Sequence, residues 1–186
     1  MATVSPTKLM TAQEFMNADL GEGAFELVRG EVIEVPPAMP EHGVVCANVV
    51  IALGNYGRQS GYGYALSNDS AVQTEHAPDT VRGADVSFYS HDRWPRSEVG
   101  TKLLPVPPNV AVEVCSPSNR PAKIFEKLAE YLSAGVSMVW IVYPKTHSVA
   151  IYRSDDEAPL VLKEGDVIEN LPELPGFRCP VADLFL

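Results

Sequence analysis

PPNVAVEVCSPSNRPAKIFEKLAEYLSAGVSMVWIVYP, residues 107–144, reads as a strand, a capped helix and a second strand. From Asn109 to Cys115 almost every side chain is apolar, the pattern of a strand buried on both faces. Glu113 breaks the run. A carboxylate there must meet a partner or hold a cation, because an uncompensated buried charge is costly. Alternation puts Glu113 on the face of Ala111 and Cys115, opposite Val112 and Val114. In the helix that follows, Ser118 or Asn119 supplies an N-cap, Pro121 suits the first turn, and Gly135 closes the C-terminus. At about 100° per residue, Ile124, Phe125, Leu128 and Leu132 form its apolar face. Lys127, beside Tyr131 on the border of that face, is better aimed at Glu113 than Lys123 is.

Working outward, Thr11 and Glu14 have the spacing of a capping box and predict a short helix. The segment 25–35 alternates about Arg29-Gly30 and predicts a hairpin. Val45, Val49, Ala52, Leu53 and Tyr56 recur at helical spacing, so a long amphipathic helix covers about 41–59. Strand pieces follow near Tyr64–Leu66 and Ala71–Gln73, then a strand over Ala84–Tyr89. In that strand Val86 and Phe88 oppose Asp85, Ser87 and Tyr89. Residues 91–108 read as an irregular excursion, His147–Tyr152 as another strand, and Leu160–Leu162 as part of an acidic hairpin. The reading is one α/β domain over 1–186, a mixed central sheet with helices on both sides and an N-terminal hairpin. Residues 11–154 form its core and 155–186 an acidic C-terminal appendage.

The 186 residues carry 46% hydrophobic and 20% charged side chains, ordinary for a soluble globular protein. No apolar run spans a bilayer, and MATVSPTKLMTAQEF lacks the apolar core of a signal peptide. Cys46, Cys115 and Cys179 show no zinc-like spacing, so a reducing cytoplasm is the simplest compartment. The net charge is −10, which opposes nucleic-acid binding. Much of it lies from Asp155 onward, where eight acids face only Lys163 and Arg178.

Asp85 and Glu113 stand on neighbouring predicted strands, each on the minority polar face. Together they suit one hard divalent cation, Mg²⁺ or Mn²⁺. A lysine beside such an ion orients or deprotonates water, or offsets charge on a phosphate in flight. The same pair equally suits a structural role, satisfied by backbone amides or by an arginine such as Arg82. His42 suits a general base, a ligand or a packing residue. Glu26 and Glu31 on the hairpin offer a third carboxylate, or face water. Cys115 with His42 invites a nucleophile reading, which an apolar strand opposes by raising the thiol pKa.

The chain also resembles a known family. Glu26-Leu-Val-Arg-Gly30, His42, Arg82-Gly-Ala-Asp-Val86, Val112-Glu-Val-Cys-Ser-Pro-Ser118, Glu126-Lys127 with Tyr131, Ala134-Gly-Val136, Val139-Trp-Ile-Val-Tyr-Pro144 and Leu174-Pro-Gly-Phe177 are similar in order and spacing to the Uma family of endonucleases. The resemblance implies a restriction-endonuclease-like fold of the PD-(D/E)XK superfamily. It makes Asp85 the motif aspartate, Glu113 the glutamate and Lys127 a lysine moved from strand to helix, with Glu26 and His42 as additional candidates. Ala84 stands where that motif has proline, and Cys115 where its strand lysine would be. The expected activity is metal-dependent hydrolysis of DNA, with Asp85 and Glu113 as metal ligands. The alternative is a catalytically idle fold relative serving as an oligomeric binding or scaffold module. A homo-oligomer is expected by analogy, through the 91–108 excursion or the acidic hairpin.

Overall fold

A computed structural model describes residues 9–116 and 121–186, so the N-cap expected at Ser118 or Asn119 lies outside the described residues. Helix α1 (Ala12–Asn17) starts on the expected capping box, with Thr11 and Glu14 bonded reciprocally. Strands β1 (Ala24–Val28) and β2 (Glu31–Val35) form the hairpin. Arg29 and Gly30 at its tip both have positive φ, 48° and 82°, the backbone of a two-residue type I′ turn. Helix α2 (Pro40–Ser60) ends on Gly61 in the left-handed conformation.

Strand β3 (Gly63–Glu75) is continuous where two pieces were expected. Its pairing with β4 (Thr80–Ser90) shifts register between Ser67 and Ser70, and Asn68 and Asp69 both have positive φ. That bulge is what made the sequence look broken. Strands β5 (Val110–Val114), β6 (Met138–Tyr143), β7 (Ser148–Tyr152) and β8 (Leu160–Lys163) continue the sheet, with α3 (Pro121–Ser133) between β5 and β6. The sheet order is β2-β1-β4-β5-β6-β7-β8, with β3 on the other edge of β4. Only β5 and β6 pair in parallel among these strands, as a strand–helix–strand crossover requires. A small second sheet joins β9 (Val167–Glu169) to β10 (Arg178–Pro180).

Two apolar layers flank the sheet. Alternation along β5 sends Val110, Val112 and Val114 toward α2, and Ala111 with Cys115 toward α3. Val45, Val49 and Leu53 of α2 pack on the first layer, which also takes Ile168, Leu171, Leu174, Phe177, Val181 and Leu184 from the C-terminal stretch. On the other side Ile124, Leu128 and Tyr131 of α3 are buried. The buried face of α3 differs from the expected one. Phe125 is 48% exposed, while Glu130 and Tyr131 are buried, because their polar ends find partners beneath the helix. Gly135 ends α3 with φ 94°; Val136 N–H bonds Tyr131 O and Gly135 N–H bonds Leu132 O, a Schellman closure.

The feature that shapes the site is a fork. One edge of β4 is shared: β1 pairs with it at Val81, and β5 pairs with it from Val86. Residues 82–85 lie between, where the backbone must find side-chain partners. Gly83 N–H donates to Glu26 Oε1 at 3.2 Å, and Gly83 O accepts from Lys127 Nζ at 3.3 Å. Below them Arg82 is 4% exposed; its Nε and Nη2 donate to the two oxygens of Glu130 at 2.6 and 2.7 Å, and Nη1 to Glu26 at 2.9 Å. The sheet therefore closes over a buried polar network rather than over apolar contact.

Two outcomes are expected. Burial alone would raise the Glu26 pKa, but Lys127 and Arg82 outweigh it and hold the pKa below its ordinary 4.5. Glu26→Gln should therefore cost about 3–5 kcal/mol at neutral pH, the scale of a broken buried pair. The folded state favours the ionised form, so this stabilisation holds above pH 4.5 and fades as pH falls through the lower folded value. Denaturant titrations of parent and variant should converge in acid. A Cβ at Gly83 would lie 2.8 Å from Asp69 Cβ and 3.0 Å from Asp69 O, so Gly83→Ala should push against the bulge and cost about 1–3 kcal/mol in the same titrations.

Candidate active site

Each end of the fork brings one carboxylate to the mouth of the gap. At the β4 end, Asp85 Oδ2 accepts from Val114 N–H at 2.6 Å, the residue after Glu113. This bond closes the junction of β4 with β5 and sets Asp85 beside Glu113. Opposite, His42 in the first turn of α2 sits with Nε2 3.2 Å from the same oxygen and, as the donor to a carboxylate, fixes its direction. Asp85 raises the His42 pKa chiefly through this bond, against burial. At the β5 side, Glu113 is 3% exposed. Its Oε1 accepts from Tyr131 Oη at 2.8 Å and its Oε2 from Lys127 Nζ at 3.1 Å.

Burial pushes the Glu113 carboxyl up to about 7, against the pull of Lys127 and Tyr131, with Asp85 adding repulsion. Lys127 also lies 2.9 Å from Glu26 Oε1. Burial works against its charge, yet Glu113 and Glu26 prevail and hold the ammonium protonated. The five residues singled out from the sequence thus meet in one place. Asp85, Glu113 and Lys127 are joined through Glu113, His42 is bound to Asp85, and Glu26 lies behind Lys127. Glu31 does not join them; it is exposed on β2. Arg82, considered as a partner for Asp85 or Glu113, is instead engaged by Glu26 and Glu130. The Cys115 thiol is pushed up to about 11 by burial and by Glu113 and Asp85, which leaves it a poor nucleophile at neutral pH.

Several participants escaped the sequence. Asp69 is carried by the β3 bulge, and its pKa is raised by burial and by the neighbouring carboxylate of Asp85. Its signal was the polar run Ser67-Asn-Asp-Ser70 in mid-strand, whose Asp69 lies against Gly83 of the neighbouring strand. Tyr131 was seen only as a neighbour of Lys127. Cys46 lies one helical turn from His42, with Sγ 3.5 Å from its Nδ1, although its pKa is raised by burial, Asp85, Asp69 and Glu113.

Three carboxylates, Asp69, Asp85 and Glu113, thus crowd one mouth, and two of them have raised pKa values. Asp85 contributes to both shifts, and clustered carboxylate oxygens are the donors that a hard divalent cation takes. Asp85 and Glu113 offer oxygens of the kind such an ion takes.

Comparison with known proteins agrees with the architecture. The structure resembles a solved chain from Anabaena variabilis ATCC 29413, described as a "putative nuclease belonging to DUF820", with a TM-score of 0.80, 21% identity, and coverage of 95% of this chain and 97% of that one. At that identity the likeness establishes the fold. No curated protein matches the chain. Residues 12–182 match the family described as "Putative restriction endonuclease", and with that span nearly the whole fold and all of the fork are included: the chain belongs to the Uma2 family.

Proposed function

We propose that the protein is a divalent-metal-dependent endonuclease acting on DNA, with Asp85 and Glu113 as metal ligands and Lys127 as the cation that meets the phosphate. The observation that carries this reading is the approach of Lys127 Nζ from a helix to Glu113, at 3.1 Å, beside the Asp85–Val114 junction. A metal ion bound there supplies Lewis-acid activation of water and of the scissile phosphate. Lys127, held protonated by Glu113 and Glu26, is unsuited to removing a proton from water; its work is to offset charge on the phosphate. His42 orients Asp85 by donating to it. Tyr131 orients Glu113 in the same way. Glu26 counters part of the charge of Lys127 and sets its position.

One observation favours a second reading, an idle scaffold. Arg82 and Lys127 are both engaged internally, by Glu26, Glu130 and Glu113, in a chain of net charge −10. In that case the ion pairs only hold the fork, and the chain works through a partner such as a second copy of itself. Among the described residues, no helix is long and apolar enough to cross a membrane.

Asp85→Ala is expected to lower Mn²⁺-dependent cleavage of DNA by a hundredfold or more while leaving the far-ultraviolet circular dichroism intact, on the scale of losing one electrostatic stabiliser. Cleavage at the parent rate would rule out the assignment. Separately, Mn²⁺ at about a hundred times its Kd should stabilise the parent by about 2.7 kcal/mol, since only the formed site gains from the ligand. Glu113→Gln should lose that gain. A parent that neither binds Mn²⁺ nor cleaves DNA would favour the scaffold.

A further inference from the structure

Cys46 has no part in the chemistry above, yet it stands at the same mouth. His42 and Cys46 are four residues apart on α2 and therefore share one face, as chelating pairs on a helix do. Asp85 approaches that face from β4. His42 Nε2 lies 3.2 Å from Asp85 Oδ2 and 3.9 Å from Cys46 Sγ, and one ligand atom from each of the three falls within 4.8 Å of the others. A tetrahedral ion with bonds of about 2.3 Å to sulfur and about 2.0–2.2 Å to nitrogen and oxygen spaces its ligands about 3.3–3.6 Å apart. The His42–Asp85 and His42–Cys46 separations bracket that range. Each of the three residues is partly exposed, so an ion can reach them.

We infer that His42, Cys46 and Asp85 form a seat for a thiolate-binding divalent ion, Zn²⁺ or Co²⁺, on the α2 side of Asp85. Its donors are one sulfur, one nitrogen and one oxygen, the mixture that zinc takes and that Mg²⁺ avoids. The Cys46 thiol gives up its proton to solvent as the metal–sulfur bond forms, and His42 releases the Nε2 proton it donates to Asp85 and keeps one on Nδ1, so the metal takes the place of that hydrogen bond. Three protein ligands leave one position of a tetrahedron for water. The seat itself is independent of the nuclease reading. One consequence rests on that reading: Asp85 is common to both sites, so an ion in this seat competes with Mn²⁺ at Asp85 and Glu113. Zn²⁺ is then an antagonist of the hard-ion site rather than a substitute in it.

Co²⁺ titration of the reduced, intact protein tests the seat, read by the near-ultraviolet thiolate-to-cobalt charge-transfer band. The parent and Cys115→Ser should both develop the band at one equivalent. Cys46→Ser should lack it, and His42→Ala should need at least tenfold more Co²⁺ to reach it. No band in the parent, or an undiminished band in Cys46→Ser, overturns the proposal. Mn²⁺ titration of the parent is run beside it, with and without Co²⁺. A tenfold or greater loss of apparent Mn²⁺ affinity on Co²⁺ saturation supports the sharing of Asp85; unchanged affinity refutes it. If Mn²⁺ fails to bind the parent while the band forms and depends on Cys46, the hard-ion reading falls and the seat stands. If Mn²⁺ binds and no band forms, the seat falls and the hard-ion reading stands.

Discussion

The backbone of Gly83 is the constraint on which the site depends. Where β1 and β5 part company along β4, one N–H and one C=O are left without a strand to bond, in a partly buried place. Such groups must be satisfied. Glu26 takes the first and Lys127 the second, so one carboxylate and one ammonium are fixed a short distance apart by the needs of the main chain. Glu113, Arg82 and Glu130 follow, since each buried charge requires another. The charged cluster that looks built for chemistry is thus also what lets the sheet divide.

This double duty explains the electrostatics. Among the described residues the fork gathers Glu26, Glu113 and Glu130 against Arg82 and Lys127, and the mouth adds Asp69 and Asp85 near His42. The deep part is nearly balanced, while the mouth is left with surplus negative charge. Arg82 serves the balanced part, and Lys127 stands at the boundary between the two. A cation arriving at the mouth meets the carboxylates of Asp69 and Asp85, whose repulsion contributes to the raised pKa of Asp69. The acidic balance of the chain as a whole says little about this place, because much of it lies in the C-terminal stretch.

The layered fold was legible because its signals are local. The apolar run at 109–115, the helical spacing of 45–56 and the capping box at Thr11 each point to one element, and each formed. Asp85, Glu113 and Lys127 were legible as polar exceptions in apolar settings. What stayed hidden depends on contacts between segments far apart in sequence. The inward turn of Glu26 follows from the fork, which no single strand announces. On α3, Ile124, Leu128 and Leu132 face the core as expected and Phe125 does not, while Glu130 and Tyr131, which count as polar in any periodicity, are buried by partners on β4 and β5. Asp69 was missed because a bulge looks like the end of a strand until its neighbour is known.

The packing of α2 has a consequence for the order of events as the chain is made. Asn48 donates to the carbonyl of Leu184, 136 residues later, and Leu171, Leu174 and Phe177 complete the layer that α2 rests on. Until those residues leave the ribosome, α2 lacks part of its support and His42 has no settled position over Asp85. The α3 half rests on β3 and β4, through Arg82 to Glu130 and Gly83 to Lys127, all of which precede it in the chain, so it can form before the C-terminal stretch is made. The two halves of the mouth therefore mature at different times. A nascent chain would carry the charges without the assembled centre until synthesis has passed the last layer of the core.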